Sequence, residues 1–149
     1  MKRRSQRLQV VLDMENRKEQ AALEHFQQEQ QALQQQQQRL EELERYQSEY
    51  QEQLRRETTG TVAVARLQAG QQFIEQLSTA MARQHRQVEQ YRKRCDQARR
   101  EWQQAWERRE GMARYIETCR QRERAENDRL EQKALDDAAS QQYARRMRR

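Results

Sequence analysis

The sequence predicts an all-α protein, a long two-helix antiparallel coiled-coil hairpin with an overhanging C-terminal helix. Its 149 residues include no proline and three glycines, so little in the chain interrupts a helix. Two segments carry apolar residues at alternating steps of three and four, which is the period of about 3.5 residues of a coiled-coil seam. A single short break, Thr58 to Thr61, separates the two segments.

The first helix is predicted over about residues 3–57. Nine of its fourteen seam positions are apolar. The glutamine tract Gln34 to Gln38 is predicted as helix, because glutamine propagates helices well and Leu33 and Leu40 keep the seam in phase on either side. The seam positions are Leu8, Leu12, Glu15, Glu19, Ala22, Phe26, Glu29, Leu33, Gln36, Leu40, Leu43, Gln47, Tyr50 and Leu54.

The loop is predicted over residues 58–61. Threonines around Gly60 make a poor helix interior, whereas Gly60 can end one helix in the left-handed conformation and Thr61 can cap the next. A loop this short forces its two helices to pack antiparallel. We therefore predict one coiled-coil domain over residues 1–149.

The second helix is predicted over about residues 62–145, and its seam is the stronger of the two. Only Gln84 and Arg109 break the apolar series, so this stripe needs a partner helix. The seam positions are Ile74, Leu77, Met81, Gln84, Val88, Tyr91, Cys95, Ala98, Trp102, Ala105, Arg109, Met112, Ile116 and Cys119.

An antiparallel register can be derived by pairing seam positions whose numbers sum to 124. Leu12 then meets Met112, and large residues face small ones, as in Ala22 against Trp102. The same register places Glu15 opposite Arg109, a charge pair that would specify the alignment.

After about Arg124 the second helix extends beyond the first and forms the predicted overhang. Here the heptads give way to a broader apolar stripe, which implies an external partner. A frayed tail is the alternative for the last ten residues. The stripe comprises Leu130, Ala134 and Ala138 beside Leu135, Ala139, Tyr143 and Met147.

Three apolar residues beside the seam, Tyr46, Phe73 and Ala80, share one side of the predicted hairpin near its loop. Together with Leu43, Tyr50 and Leu77 they predict a hydrophobic docking face, since exposed apolar patches mark binding sites. The alternative is that they only cover the seam.

Composition and motifs indicate a non-enzyme without cofactor or metal. His25 and His85 have no second metal ligand nearby, and no phosphate-binding glycine loop is present. Cys95 and Cys119 are predicted to be buried as small hydrophobic residues. The net charge of +6 is interspersed, which favours a solvated surface over nucleic-acid binding. No membrane span or signal peptide is apparent, so a cytosolic protein is expected.

The chain resembles the flagellar FliJ family. The motifs are Tyr46-Gln47-Ser48-Glu49-Tyr50, Gln71-Gln72-Phe73-Ile74 with Leu77 and Ala80, and Arg129-Leu130-Glu131-Gln132-Lys133. The resemblance implies a central-stalk-like rod of the type III export apparatus, cytoplasmic and peripherally associated with the inner membrane at the flagellar base.

This resemblance implies three partners: a hexameric export ATPase, the cytoplasmic domain of the export gate, and export chaperones. The face that contacts the gate or a chaperone would comprise Leu43, Tyr46, Tyr50, Phe73, Leu77 and Ala80. The end that faces the ATPase ring would comprise Leu130, Ala134, Leu135, Ala138 and Tyr143. An escort for export chaperones and a purely structural coiled coil are the alternative functions.

Overall fold

In the computed structural model, the described residues are 3–58 and 64–148. They form two α-helices, α1 (Arg4–Glu57) and α2 (Val64–Met147), and no strand occurs within these two ranges. The helices pack against each other, which confirms the predicted all-α hairpin. Gly60, Thr61 and the predicted start of the second helix lie outside the described residues.

The chain divides into two compact units, and each takes a part of both helices. One unit combines the residues up to Glu19 with those from Gln104 onward, and the other spans Gln20–Gln103. The described seam positions of both helices are buried or half-buried in these units. The two cysteines are free and buried, as predicted, and burial raises the pKa of the Cys95 thiol.

One contact in the unit Gln20–Gln103 pairs positions of the predicted register. A side chain at Gly70 would meet the Leu54 methyl groups at 2.7 Å, and these two positions sum to 124. The indole of Trp102 stacks on Phe26, with ring centroids 6.0 Å apart. Leu54 therefore fills the space beside a small residue, whereas Trp102 packs against another large side chain.

Gln84 interrupts the apolar seam because it binds the opposite helix. Its Nε2 atom donates hydrogen bonds to the Gln36 backbone oxygen and to Gln36 Oε1, both at 2.9 Å. Gln36 itself is buried. A buried amide is tolerated when it is hydrogen-bonded, so this pair stabilises one alignment of the helices against slipped ones.

The predicted ion pair between Glu15 and Arg109 is wrong. Arg109 Nη2 lies 3.1 Å from Glu110 Oε1, and Glu15 Oε1 lies 3.7 Å from Lys18 Nζ. Both side chains are long enough to reach a charge of their own helix while they stay half-buried at the seam. The other carboxylate oxygen of Glu15 is buried without a hydrogen-bond partner.

The seam ends in a polar clasp formed by Ser5 of α1 and Glu123 of α2. The Ser5 hydroxyl donates to Glu123 Oε2 at 2.7 Å, and the Ser5 backbone N–H donates to Glu123 Oε1 at 3.1 Å. Arg3 adds hydrogen bonds to Asn127 and to the Glu123 backbone oxygen. The clasp therefore satisfies an N–H group in the first turn of α1 and marks the last layer of the seam.

Gly70 and Gly111 provide a matched test of the seam. Gly111→Ala should raise the free energy of unfolding by about 0.5–1 kcal/mol, because nothing lies within 4 Å of the added methyl and alanine favours helix. Gly70→Ala should give no such gain, because the Leu54 methyls must move. Urea unfolding followed by circular dichroism measures both, and an equal gain at the two sites would contradict this packing.

The clasp should be sensitive to acid. The hydrogen bonds from Ser5 lower the pKa of the Glu123 carboxyl from its ordinary value of 4.5. A carboxyl with a lowered folded pKa contributes stability that is complete above its unfolded pKa and is lost as the pH falls through the folded value.

We therefore expect the hydrogen-exchange protection of the Ser5 amide, corrected for intrinsic exchange rates, to fall below about pH 4. Glu123→Gln should remove this pH dependence, whereas Glu131→Gln on the exposed overhang should retain it. If protection of the wild-type amide were constant through the acid range, Glu123 would not hold the clasp as a carboxylate.

Candidate functional site

The predicted docking face forms an aromatic patch, defined here as Leu43, Tyr46, Tyr50, Phe73, Leu77 and Ala80. Phe73 lies at its centre, with its ring edge-on to Tyr50 at 4.7 Å and to Tyr46 at 6.1 Å between centroids. Leu77 is buried, whereas 50% of Tyr46 is exposed. The structure therefore brings the three aromatic residues together from both helices, and Tyr46 presents most of their surface to solvent.

Polar contacts hold the two helices in place beneath the aromatic patch. Arg66 Nη1 donates to the Tyr50 hydroxyl at 3.4 Å, and Arg66 Nη2 lies 3.0 Å from Glu57 Oε2. Gln47 Nε2 donates to Ser78 Oγ at 2.8 Å. Sequence periodicity did not indicate Arg66, because it stands outside both seams and reaches α1 through a long side chain.

A groove adjoins the aromatic patch on the side away from the loop. Its volume is about 510 Å³. Leu43 and Tyr46 supply its apolar surface. The polar lining consists of the Arg39 guanidinium, the Glu42 carboxylate and the Gln84 amide. An apolar surface beside these polar groups can orient a peptide as well as bind it.

The overhang, defined here as residues 124–148, is exposed at every position. The exposed fractions are 66% for Leu135 and 65% for Tyr143, and Leu130, Ala134 and Ala138 are likewise open to solvent. This exposure agrees with the predicted overhang, apart from its start, where Arg3 donates a hydrogen bond to Asn127. Leucine and tyrosine left exposed along a helix form a surface that a partner can cover.

The apolar stripe of the overhang winds around the helix. An α-helix turns by about 100° per residue, so Leu135 lies about 140° to one side of Leu130 and Tyr143 about 140° to the other side. A flat partner would cover only part of these side chains. The arrangement suits a binding site that surrounds the helix.

The described parts of the chain lack two other kinds of functional element. Within residues 3–58 and 64–148, no cluster of three or more His, Cys, Asp or Glu side chains is placed to bind a metal ion. In the same ranges, neither helix has an apolar stretch that could cross a bilayer. The aromatic patch and the overhang are therefore the candidate sites that the structure presents.

Comparison with known proteins identifies a family. Residues 4–148 match the family described as Flagellar FliJ protein, and this range includes both the aromatic patch and the overhang. No curated protein and no solved structure matched the chain. The chain belongs to the FliJ family, whose members are non-catalytic components of the flagellar export apparatus.

Proposed function

We propose that this protein is a stalk-like component of the flagellar type III export apparatus that couples a hexameric export ATPase to the export gate. Its overhang inserts into the pore of the ATPase ring, and its aromatic patch contacts the cytoplasmic domain of the gate. In this proposal the protein works in the cytoplasm, peripherally associated with the inner membrane at the flagellar base.

The observation that carries this proposal is the solvent-exposed overhang. Apolar side chains wind around a helix that has no partner in the hairpin, from Leu130 through Leu135 to Tyr143. A ring-shaped partner can cover all sides of such a helix at once, whereas a single flat surface cannot. Family membership supplies the context, because a flagellar export component works beside other export proteins.

Coupling would follow from the mismatch in symmetry. A single α-helix has no sixfold axis, so each subunit of a hexameric ring meets a different part of its surface. Unequal contacts stabilise different nucleotide states in different subunits, since a ligand shifts an equilibrium only through its differential affinity for the states. The same contacts bridge subunits and thereby promote assembly of the ring.

The overhang can be tested with charge substitutions that leave the hairpin intact. Leu135→Asp combined with Tyr143→Asp should weaken binding to the ATPase at least tenfold and remove its stimulation, because two carboxylates would be buried against apolar side chains. Both positions are exposed, so helicity should be unchanged. Binding is measured by fluorescence anisotropy and stimulation by phosphate release.

The matched control is Val10→Asp combined with Met14→Asp, which adds the same charge at exposed apolar positions of α1. This control should stimulate the ATPase like the wild type. Full stimulation by the overhang variant, or an equal loss in the control, would rule out the overhang as the specific ATPase contact.

A second candidate function, an escort for export chaperones, is favoured by the exposed Tyr46 ring and the groove beside it. In this case Tyr46→Ala and Phe73→Ala should abolish capture of the chaperones in a pull-down while ATPase stimulation stays unchanged. Tyr115→Ala, an exposed tyrosine outside the aromatic patch, is the control. If the two patch variants lost gate binding and kept chaperone capture, the aromatic patch would be a gate contact instead.

A further inference from the structure

A row of three cations lies along the outward face of α2 within the unit Gln20–Gln103. Arg86, Lys93 and Arg100 follow one another at intervals of seven residues, about 10.5 Å along the helix. All three are exposed. In the stretches 3–58 and 64–148, none of them forms an ion pair, in contrast to the neighbouring Arg92 and Arg99. We call these three residues the basic row.

Residues 83–100, which contain the basic row, hold most of the charge excess of the chain. They include seven arginines and lysines against two carboxylates, a net charge of +5 in a chain of net charge +6. Both carboxylates are engaged elsewhere: Glu89 lies 3.2 Å from Arg92, and Asp96 lies 3.7 Å from Arg99. The two carboxylates also lie on the stripe of the basic row, three residues after one cation and four before the next, so they offset part of its charge and leave the net +5 of residues 83–100.

The opposite helix offsets little of this charge, although Glu29 of α1 lines a groove together with Lys93. In the 124 register, residues 24–41 of α1 face this part of α2, and they contain three glutamates, one arginine and many glutamines. Glutamine propagates the helix without adding charge. The glutamine-rich tract of α1 thus leaves a positive field on the outside of α2.

We propose that the basic row binds an acidic α-helical segment of another protein, one that carries carboxylates at every seventh residue. Such carboxylates repeat at the same interval of about 10.5 Å as the cations, so they can pair one to one. Electrostatic complementarity of this kind sets the orientation and the association rate of a complex. The basic row shares no residue with the aromatic patch or the overhang, and its function does not depend on theirs.

Two other polyanions fit this face less well. A peripheral membrane helix presents apolar side chains for burial in the lipid, whereas the row stands among polar and charged residues such as Glu89 and Gln90. Single-stranded nucleic acid calls for exposed aromatic rings that stack on bases. The one aromatic residue of residues 83–100, Tyr91, is a half-buried seam residue with Arg94 over its ring.

The test compares two helical peptides rich in alanine and glutamine, of about three heptads each. One carries glutamates at every seventh position, and the other carries the same number of glutamates distributed around the helix. Binding of the labelled peptides to the full chain is measured by fluorescence anisotropy at about 50 mM and about 200 mM salt. Vesicles of phosphatidylserine and phosphatidylcholine, and an oligothymidylate, are measured in parallel.

We expect the aligned peptide to bind at least about fivefold more tightly than the scattered one, with affinity falling as salt increases. The triple substitution of the basic row should weaken this binding about tenfold; it combines Arg86→Gln, Lys93→Gln and Arg100→Gln. The control replaces Arg7, Arg17 and Arg45, which are exposed on α1, by glutamine and loses the same charge. This control should bind the aligned peptide like the wild type.

Three results would overturn the proposal. Equal binding of the two peptides would mean that the protein recognises only the net charge of a peptide. An equal loss of peptide binding in the α1 control would mean that only the net charge of the protein matters. Tighter binding of the vesicles or of the oligothymidylate, lost on substitution of the basic row, would assign the row to a lipid surface or to nucleic acid.

Discussion

Within each compact unit, α1 and α2 meet along a seam that is only one side chain deep, and the rest of the structure depends on this narrowness. A thin seam offers little apolar surface per residue, so alignment relies on a few specific layers. In one unit the Gln36 and Gln84 amides bind each other, and Leu54 fills the space that Gly70 leaves. In the other unit the Ser5–Glu123 clasp forms the last layer.

The end of the seam also creates the candidate ATPase-binding surface. Beyond the clasp, α2 continues to Met147, and residues 124–148 are exposed at every position. Its leucine and tyrosine side chains remain in water, where they cost free energy until a partner buries them. The clasp thus positions the start of the overhang, and the overhang is exposed because of the unequal reach of the two helices.

Most charged side chains lie on the outer faces of the two helices, because a thin seam cannot hydrate a buried ion. Glu15 and Arg109 are exceptions, because each is half-buried at the seam and lies beside an opposite charge of its own helix. The surfaces that result differ in chemistry: an aromatic patch, an apolar helix end and a basic row. Surfaces of such different character can bind different partners at the same time, which suits a non-catalytic component of an export apparatus.

The aromatic patch was predicted in its members but not in its geometry. Heptad positions place Tyr46 and Phe73 on the same side of the seam, because that follows from counting residues along two aligned helices. Counting does not show that Phe73 lies closer to Tyr50, or that Arg66 joins Tyr50 to Glu57. These details depend on side-chain rotamers and on contacts across the hairpin.

The sequence by itself determined the two helices, their seam and the exposed overhang. Each of these follows from a one-dimensional pattern: the spacing of apolar residues, the absence of proline and the unequal lengths of the two periodic segments. Only the tertiary structure decided the partners of the charged residues, the Ser5–Glu123 clasp and the packing within the aromatic patch. Long flexible side chains have several partners within reach, and the choice among them depends on the three-dimensional surroundings rather than on spacing along the chain.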